Sequence, residues 1–399
     1  MLIHEITLRN LLSFGPDTPT LKLGKLNVLI GPNGAGKSNF LEAFDLLRCA
    51  PGEIANPIRE GGGVRDWLWK GGKTSETPEA MIEILINKEI FPTNQHYKES
   101  FDLRYRLKFS AIGQVFEIVD EQLENEKPVG NNAQPYFYYK YQGGNPVLTI
   151  KEGTKARTLQ REQIDTERSI LAQRRDPDHY PEITHLAEVL PQLRLYREWG
   201  FGRYTAPRLP QRADGRNDFL ELDASNLGLM LNRLRRDPEV KRKLLEALKL
   251  LYHGIDDYDI VIEGGTVQVF FQEGMRSIPA TRLSDGTLRY LCLLAILLHP
   301  KPPPLVCIEE PELGLHPDIL PGLAKLLIEA SERCQLIVTT HSDVLVDAMT
   351  DMPEAVVVCE RTDAGTTMNR LNADDLKPWL EKYRLGELWS RGDIGGNRW

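Results

Sequence analysis

The chain has 399 residues, of which 41% are apolar, and a formal net charge of −8. This composition supplies packed cores for one large or two ordinary domains and excludes a largely disordered chain. The net acidity argues against a protein that coats nucleic acid over its whole surface. The longest apolar run, residues 291–298, is far shorter than the roughly 20 residues that cross a bilayer, and no signal-peptide pattern opens the chain. We expect a soluble, cytoplasmic protein with no membrane contact.

The first part of the chain predicts strands around one helix. Residues 1–10 alternate apolar and polar, and residues 26–30 form a continuous apolar run that stops at a glycine, so both predict strands. A helix is expected over residues 37–47. Five short β-rich runs, separated by Gly, Pro and Asn clusters, then predict an antiparallel meander over residues 81–150.

Helical periodicity rich in Arg and Leu begins near Thr166 and continues to about Tyr252. Within it, Asp237 precedes Pro238, and an N-cap residue followed by proline at the first helical position predicts that a helix starts there. An inserted helical lobe is therefore expected.

Beyond this lobe, two short strand-like runs lead into an alternation of helix and strand over residues 283–358. That alternation is typical of a mostly parallel sheet, which we expect both ends of the chain to share. The predicted fold class is α/β. The expected units are an N-terminal lobe over residues 1–165, a helical insert over residues 166–256, and a C-terminal lobe over residues 257–399.

The strongest chemical signal is the segment Gly31-Pro32-Asn33-Gly34-Ala35-Gly36-Lys37-Ser38, which matches GxxxxGK[ST] between a predicted strand and a predicted helix. Glycines let such a loop wrap so that backbone N–H groups point at a β-phosphate. Lys37 adds a positive charge between the β- and γ-phosphates, and the Ser38 hydroxyl is placed to coordinate Mg²⁺. The predicted ATP-binding residues are Gly31, Asn33, Gly34, Ala35, Gly36, Lys37, Ser38 and the adjoining Asn39.

Two adjacent carboxylates, Glu309 and Glu310, end an apolar run of strand character. Glu309 would orient Mg²⁺ and its waters, and Glu310 would polarise the attacking water. His341 ends the next predicted strand, where a neutral imidazole can hydrogen-bond the γ-phosphate or the lytic water. Lys37, Glu310 and His341 are the predicted catalytic residues.

Ser284, followed by Asp285 and Gly286, opens another predicted helix. Serine is a preferred N-cap, and a capped helix N-terminus is also an anion site. Two interpretations stay open from the residues alone: a cap on a core helix, or a contact to a phosphate.

These elements, in this order, resemble the ABC-type ATPases of the RecF, SMC and overcoming-lysogenization (OLD) group. The whole chain is similar to bacterial RecF-like ATPases that carry the broad label AAA family. The resemblance implies a P-loop NTPase fold of ABC/SMC type: a mostly parallel sheet plus an antiparallel β meander, with an inserted helical lobe. Further stretches that carry the resemblance are residues 61–67, 194–199 and 395–399.

The same resemblance implies a homodimer that closes on ATP, in which Ser284 and Gly286 contact the γ-phosphate held by the other protomer. It also implies a glutamine that links Mg²⁺ to the helical lobe. Gln173 is the candidate for this metal-linking residue, and the alternative is an exposed polar residue in a basic helix.

Three positions depart from the ABC pattern. Glu309 stands where Asp is usual, Asp285 replaces the first glycine of an LSGGQ-like signature, and His316 stands where transporters carry an aspartate. The last two changes are shared with OLD-like ATPases and argue against a transporter.

The expected activity is slow ATP hydrolysis that opens and closes the dimer, and two outputs are considered. One is a regulatory or sensor ATPase, for example in phage defence, that controls a separate effector protein. The other is a DNA repair or maintenance ATPase that grips duplex DNA through residues 191–243, where 12 Lys or Arg face 7 Asp or Glu. Only 58 residues follow His341, fewer than the Toprim nuclease of OLD enzymes needs, so any nuclease is expected on another chain.

Overall fold

The computed structural model describes residues 1–71, 78–90, 101–128, 130, 132–142, 145–149, 156–158 and 164–396. These residues form three β-sheets with helices packed between and around them. No helix within these ranges is long and apolar enough to cross a membrane.

The strands are β1 (Ile3–Arg9), β2 (Leu21–Lys22), β3 (Leu26–Ile30), β4 (Ala80–Ile86), β5 (Leu103–Ile112), β6 (Val115–Asn125), β7 (Phe137–Gln142), β8 (Asn145–Thr149), β9 (Ala156–Thr158), β10 (Arg194–Tyr196), β11 (Gln211–Arg212), β12 (Asp257–Glu263), β13 (Thr266–Glu273), β14 (Arg276–Pro279), β15 (Leu305–Glu309), β16 (Gln335–Thr339), β17 (Val356–Thr362) and β18 (Gly365–Arg370). The helices are α1 (Lys37–Cys49), α2 (Ala55–Glu60), α3 (Val64–Trp67), α4 (Ile170–Gln173), α5 (Pro181–Val189), α6 (Leu227–Leu234), α7 (Pro238–Leu251), α8 (Asp285–Leu297), α9 (Leu320–Ser331), α10 (Asp343–Asp347), α11 (Ala373–Leu380) and α12 (Leu385–Arg391).

The central sheet has six strands in the order β10-β15-β16-β3-β17-β18. All neighbours are parallel except β17 and β18. Every residue of β3 and β16 is buried, as expected for parallel strands covered on both faces. Strand β3 from the start of the chain pairs with β16 and β17 from its end, which confirms that both ends share the sheet.

The predicted meander contributes β4 to β8 to an eight-stranded antiparallel sheet, in the order β2-β1-β4-β5-β6-β7-β8-β9, which β1, β2 and β9 complete. Its buried face shares one core with α1 and with one face of the central sheet; Phe40 and Phe44 of α1 lie in that core with Ile82 and Leu305. The opposite face of the central sheet packs with α8, α9 and the small sheet β11-β13-β12 in a second core. Helix α1 thus lies between two sheets, with its N-terminus at the central sheet's edge.

The range predicted as a helical insert, residues 166–256, contains two short strands, β10 and β11, as well as helices. The range contains four helices, and Asp237 accepts hydrogen bonds from the amides of Glu239 and Val240, so α7 begins at Pro238 as predicted. However, β10 lies inside the range and pairs in parallel with β15. A three-residue strand has too little periodicity to be recognised locally, since only its distant partner defines it. The unit boundaries themselves stay a prediction.

A fully buried amide, Gln335, fixes the start of the chain to β16. Its Oε1 accepts hydrogen bonds from the amides of Leu2 (3.1 Å) and Ile3 (2.9 Å), and its Nε2 donates to the carbonyls of Ile3 (2.7 Å) and Gly24 (3.0 Å). One side chain therefore satisfies four backbone groups where the antiparallel and central sheets meet.

Replacing Gln335 with Leu should lower the free energy of unfolding by about 3 kcal/mol, because buried backbone groups lose their partners. Urea unfolding followed by circular dichroism measures this change. The matched control is Glu332→Gln, three residues away, which removes only the exposed Lys25–Glu332 ion pair and should change stability by about 0.5 kcal/mol or less. Equal effects of the two substitutions would contradict this role for Gln335.

Candidate functional site

The loop of residues 31–36 connects β3 to α1 at the carboxyl edge of the central sheet. Gly31 and Gly36 have φ angles of 147° and 96°, and a Cβ on either would collide with the Cys359 carbonyl or the Thr366 hydroxyl, respectively. Only glycine fits at these two positions. The loop therefore follows a path that a side chain at either position would prevent, and Asn33 and Gly34 at its tip are exposed.

Helix α1 begins at Lys37 without a side-chain cap and without an acidic residue in its first turn. Its first amides are therefore available to an anion, and the helix dipole favours one there. The buried Lys37 side chain lies along the loop, where its ammonium group donates to the carbonyls of Gly31 (2.7 Å) and Pro32 (3.1 Å). Amides and a positive charge together form a cradle that suits a phosphate chain.

The Ser38 hydroxyl donates a hydrogen bond to Oε1 of Glu309, the last residue of β15. The other carboxylate oxygen of Glu309 accepts from Nε of Arg197 at 2.9 Å, and Arg197 also donates to Glu42 of α1 at 2.7 Å. Arg197 thus binds one carboxylate oxygen of Glu309, the residue that stands where aspartate is usual. The other oxygen of Glu309 is left facing Ser38. A hydroxyl and a carboxylate oxygen in contact fit Mg²⁺, which prefers oxygen ligands and completes its shell with phosphates and water.

Glu310 follows Glu309 in a left-handed backbone conformation, with φ of 44°. This conformation is rare for a residue with a side chain and is held here by hydrogen bonds from the Glu310 amide to the carbonyl (3.0 Å) and hydroxyl (3.2 Å) of Thr339. The turn directs the Glu310 carboxylate to His341, with Oε1 and Nε2 3.4 Å apart. A carboxylate and an imidazole, both partly exposed, are therefore paired beside the phosphate cradle, where they can handle the proton of a water.

Sequence reasoning missed Glu312, which fixes the backbone at His341. Its Oε1 accepts hydrogen bonds from the Thr340 hydroxyl and the His341 amide, both at 2.7 Å. Burial raises the pKa of Glu312, and these two hydrogen bonds oppose the rise. The turn after β15 and the turn after β16 are thus joined by one carboxylate.

Ser284 and Gly286 lie elsewhere on the surface, at the start of α8. Ser284 is the exposed N-cap and accepts from the Thr287 amide at 3.1 Å. A Cβ on Gly286 would approach the Gly314 carbonyl to 2.5 Å, so the helix start packs directly on the loop that follows Glu310. Among the described residues, no hydrogen bond joins Ser284 or Gly286 to residues 31–38 of the same chain.

Gln173 ends the short helix α4, and its amide is used locally. Its Oε1 accepts from the Asp165 amide at 2.9 Å, and its Nε2 donates to the carbonyls of Asp165 (2.9 Å) and Arg168 (2.6 Å). None of the described hydrogen bonds joins it to Ser38 or Glu309. Its role as a metal-linking residue stays a prediction.

The segment that carries Gln173 is anchored by a fully buried carboxylate, Glu121 of β6. Glu121 accepts hydrogen bonds from the Tyr105 hydroxyl (2.7 Å), the Ser169 hydroxyl (2.5 Å) and the Ile170 amide (2.9 Å). Burial raises its pKa to about 6, although the hydrogen bonds from Ser169, Ile170 and Tyr105 favour the charged form. The antiparallel sheet therefore holds the start of α4 through one ionisable group.

The C-terminal part of the chain packs behind the loop of residues 31–36. The Trp389 indole donates to the Gly396 carbonyl at 3.2 Å, and the Gly396 amide donates to Glu360 at 2.9 Å. A Cβ on Gly396 would lie 3.5 Å from the Cα of Gly31. Trp389 therefore covers the domain's own core and supports the loop from behind; residues 397–399 lie outside the described ranges.

The fold and the site are those of a P-loop ATPase of the ABC type. The sequence pattern of one family matches residues 26–128 and 203–347, more than half of the chain. The chain belongs to that family, which is described as "AAA domain, putative AbiEii toxin, Type IV TA system".

A relative named OLD nuclease, from Thermus scotoductus, is 26% identical over 344 residues, which cover 82% of this chain and 57% of that protein. The chain thus spans little more than half of the length of this relative. An Smc head bound to the C-winged helix domain of ScpA is also similar, with a TM-score of 0.59 and 16% identity over 94% of this chain and 99% of that one. An Smc head with an extended coiled coil, derived from Pyrococcus furiosus, gives the same score and identity over 96% and 99%. At this identity the likeness shows the fold.

The raised pKa of Glu121 predicts a pH-dependent stability. Below about pH 4.5 the carboxyl is protonated in both states; between about pH 4.5 and 6 the folded state retains the proton and the unfolded state loses it. The stabilisation by Glu121 is therefore lost as pH rises through this window. The difference in unfolding free energy between wild type and Glu121→Gln should fall by about 2 kcal/mol from pH 4.5 to pH 7.

Urea unfolding across this pH range measures the difference. Ser169→Ala retains the Glu121 carboxylate but removes one hydrogen bond that favours its charged form. In this variant the unfolding free energy should still fall as pH rises, and the fall should extend to higher pH. Parallel pH profiles for wild type and Glu121→Gln would contradict the prediction.

Proposed function

We propose that the protein is an ATP-hydrolysing switch that dimerises around two ATP molecules and regulates a separate effector. The observation that carries this proposal is the convergence of Lys37, Ser38, Glu309, Glu310 and His341 at one edge of the central sheet. A phosphate cradle, a pair of oxygen ligands and a carboxylate–imidazole pair are the groups that ATP hydrolysis requires.

In the proposed cycle, the amides at residues 33–38 and the Lys37 ammonium hold the phosphates of ATP. Bound Mg²⁺ would neutralise charge on the β- and γ-phosphates, with Ser38 and Glu309 as its protein ligands. Glu310 orients and polarises the attacking water, and His341 hydrogen-bonds the γ-phosphate or that water. Each of these residues comes from the same protomer.

The proposed second half of the site comes from another copy of the chain. Ser284 is exposed at the start of a helix whose amides can bind an anion, and its described hydrogen bonds do not reach the phosphate cradle of its own chain. A γ-phosphate held by a partner protomer would contact both the exposed Ser284 and the amides of this helix, as the resemblance to ABC-type ATPases implies. Closure over two nucleotides is then the mechanical output.

A regulatory output is supported by the family description, which names a toxin–antitoxin system, and by the relative named OLD nuclease. The DNA-binding alternative depends on the local basic excess in residues 191–243. Most of the 12 basic residues there form ion pairs with carboxylates, which lowers the charge presented to a DNA backbone. The paired residues are Arg197, Arg208, Arg212, Arg216, Arg233, Arg235, Lys241, Arg242 and Lys243.

Glu310→Gln should lower ATP turnover at least about 100-fold and retain ATP binding, because it removes the carboxylate that polarises water but keeps its size. The variant should therefore accumulate as an ATP-dependent dimer. Analytical ultracentrifugation with and without ATP and Mg²⁺, beside a phosphate-release assay, measures both effects. Duplex DNA is added to each assay at low and high salt.

Two variants serve as controls. Lys37→Ala should bind ATP weakly and stay monomeric, whereas Glu381→Gln, an exposed carboxylate on the surface, should behave as wild type. A Glu310→Gln protein that stays monomeric with ATP would overturn the shared-site mechanism. Salt-sensitive stimulation of turnover by duplex DNA would favour the DNA maintenance function over the regulatory one.

A further inference from the structure

The start of α8 is held by a buried arginine from a distant part of the chain. The side chain of Arg208 is 8% exposed, whereas that of its partner Asp285 is 70% exposed. A guanidinium group loses strong hydration when it is buried, so its position must be supported by several acceptors. The hydrogen-bond acceptors of the Arg208 guanidinium show which part of the chain this side chain positions.

Arg208 has four described acceptors. Its Nε donates to the Phe201 carbonyl at 2.8 Å, within its own loop. Its Nη1 donates to the carbonyls of Leu283 (2.5 Å) and Thr281 (3.4 Å), and its Nη2 donates to the Asp285 carboxylate. Leu283 and Asp285 are the residues immediately before and after Ser284. The planar guanidinium therefore fixes both sides of the turn that carries Ser284.

This contact accounts for the aspartate that replaces the first signature glycine. Asp285 has an acidic side chain in the first turn of α8, which the helix dipole favours, and its carboxylate also completes the Arg208 site. A glycine at this position would lack the carboxylate that Arg208 binds. In this chain, the Asp285 carboxylate adds a charged contact to the two backbone carbonyls of the turn that Arg208 binds.

The loop that carries Arg208 has a second contact with α8. Trp199 lies under the guanidinium of Arg289, 5.4 Å from the ring centroid, one helical turn after Asp285. The same loop begins at Arg197, which binds Glu309. Residues 197–208, called here the connecting segment, thus join the candidate metal-site carboxylate to the helix that starts at Ser284.

We propose that Arg208 is a positioning residue that fixes the turn of residues 281–285, so that Ser284 is held ready for a phosphate on a second copy of the chain. The link to a partner's phosphate rests on the proposed function; the fixing of the turn does not. The two parts are therefore tested separately.

Hydrogen–deuterium exchange of the nucleotide-free protein tests the fixed turn. Arg208→Ala should raise the exchange rates of backbone amides in residues 281–288 by about tenfold, because three anchoring hydrogen bonds to the turn are lost. Arg212→Ala is the matched control, since Arg212 lies on the same stretch but pairs only with exposed Asp214 among the described residues. Exchange rates in Arg208→Ala that equal those of Arg212→Ala would overturn the proposal.

The effect on the partner site is tested in the Glu310→Gln protein. Adding Arg208→Ala should leave fluorescent ATP binding to the protomer within about twofold but weaken ATP-dependent dimerisation at least about tenfold. Arg208→Lys, which retains charge without the planar fork, should recover part of the loss. Asp285→Asn should cost only about two- to threefold, because the Asp285 carboxylate is exposed.

The outcomes separate the two proposals. Failure of the parent Glu310→Gln protein to dimerise would overturn the proposed function, while hydrogen exchange still decides whether Arg208 fixes the turn. Unchanged dimerisation of the Arg208→Ala protein, in a parent that does dimerise, would overturn the role of Arg208 toward the partner. If Arg208→Ala does not fold, Arg208→Lys and Asp285→Asn carry both measurements, and wild-type exchange and dimerisation in both would overturn the proposal.

Discussion

Strand β16 lies between β15 and β3 and forms parallel hydrogen bonds with both. Because parallel strands end at the same edge, this pairing brings the loop after β3, the carboxylates after β15 and the histidine after β16 together. These groups are separated by up to about 300 positions in the sequence. The buried Gln335, the first residue of β16, adds hydrogen bonds to the start of the chain and to the turn before β3. The convergence of these groups at one edge of the sheet depends on that arrangement.

Charge is distributed in this site so that each carboxylate has a partner. Arg197 neutralises one oxygen of Glu309, His341 lies beside Glu310, and Glu312 accepts from the backbone at His341. Three carboxylates within four residues would otherwise repel one another. The partners therefore allow a dense negative cluster beside the phosphate cradle and leave one oxygen of Glu309 facing Ser38.

The connecting segment, residues 197–208, gives the two halves of the proposed composite site a physical link. One end contacts Glu309, and the other end contacts the residues around Ser284. Gly286 also packs on the loop that follows Glu310. The start of α8 is thus linked to the candidate hydrolysis site by two routes, the connecting segment and the loop that follows Glu310. An element that moves with nucleotide state could act on a partner through either contact.

By itself the sequence determined the features that depend on neighbouring residues. The glycines before Lys37, the adjacent Glu309 and Glu310, the cap at Asp237 and the alternation of the meander are local patterns with local physical causes. The tertiary structure decided which distant side chains complete the site. Arg197 meets Glu309 across 112 positions, and Arg208 meets Asp285 across 77. No sequence period or spacing predicts these pairs. They form only when β10 has paired with β15 and the long loop after β10 has packed against the start of α8.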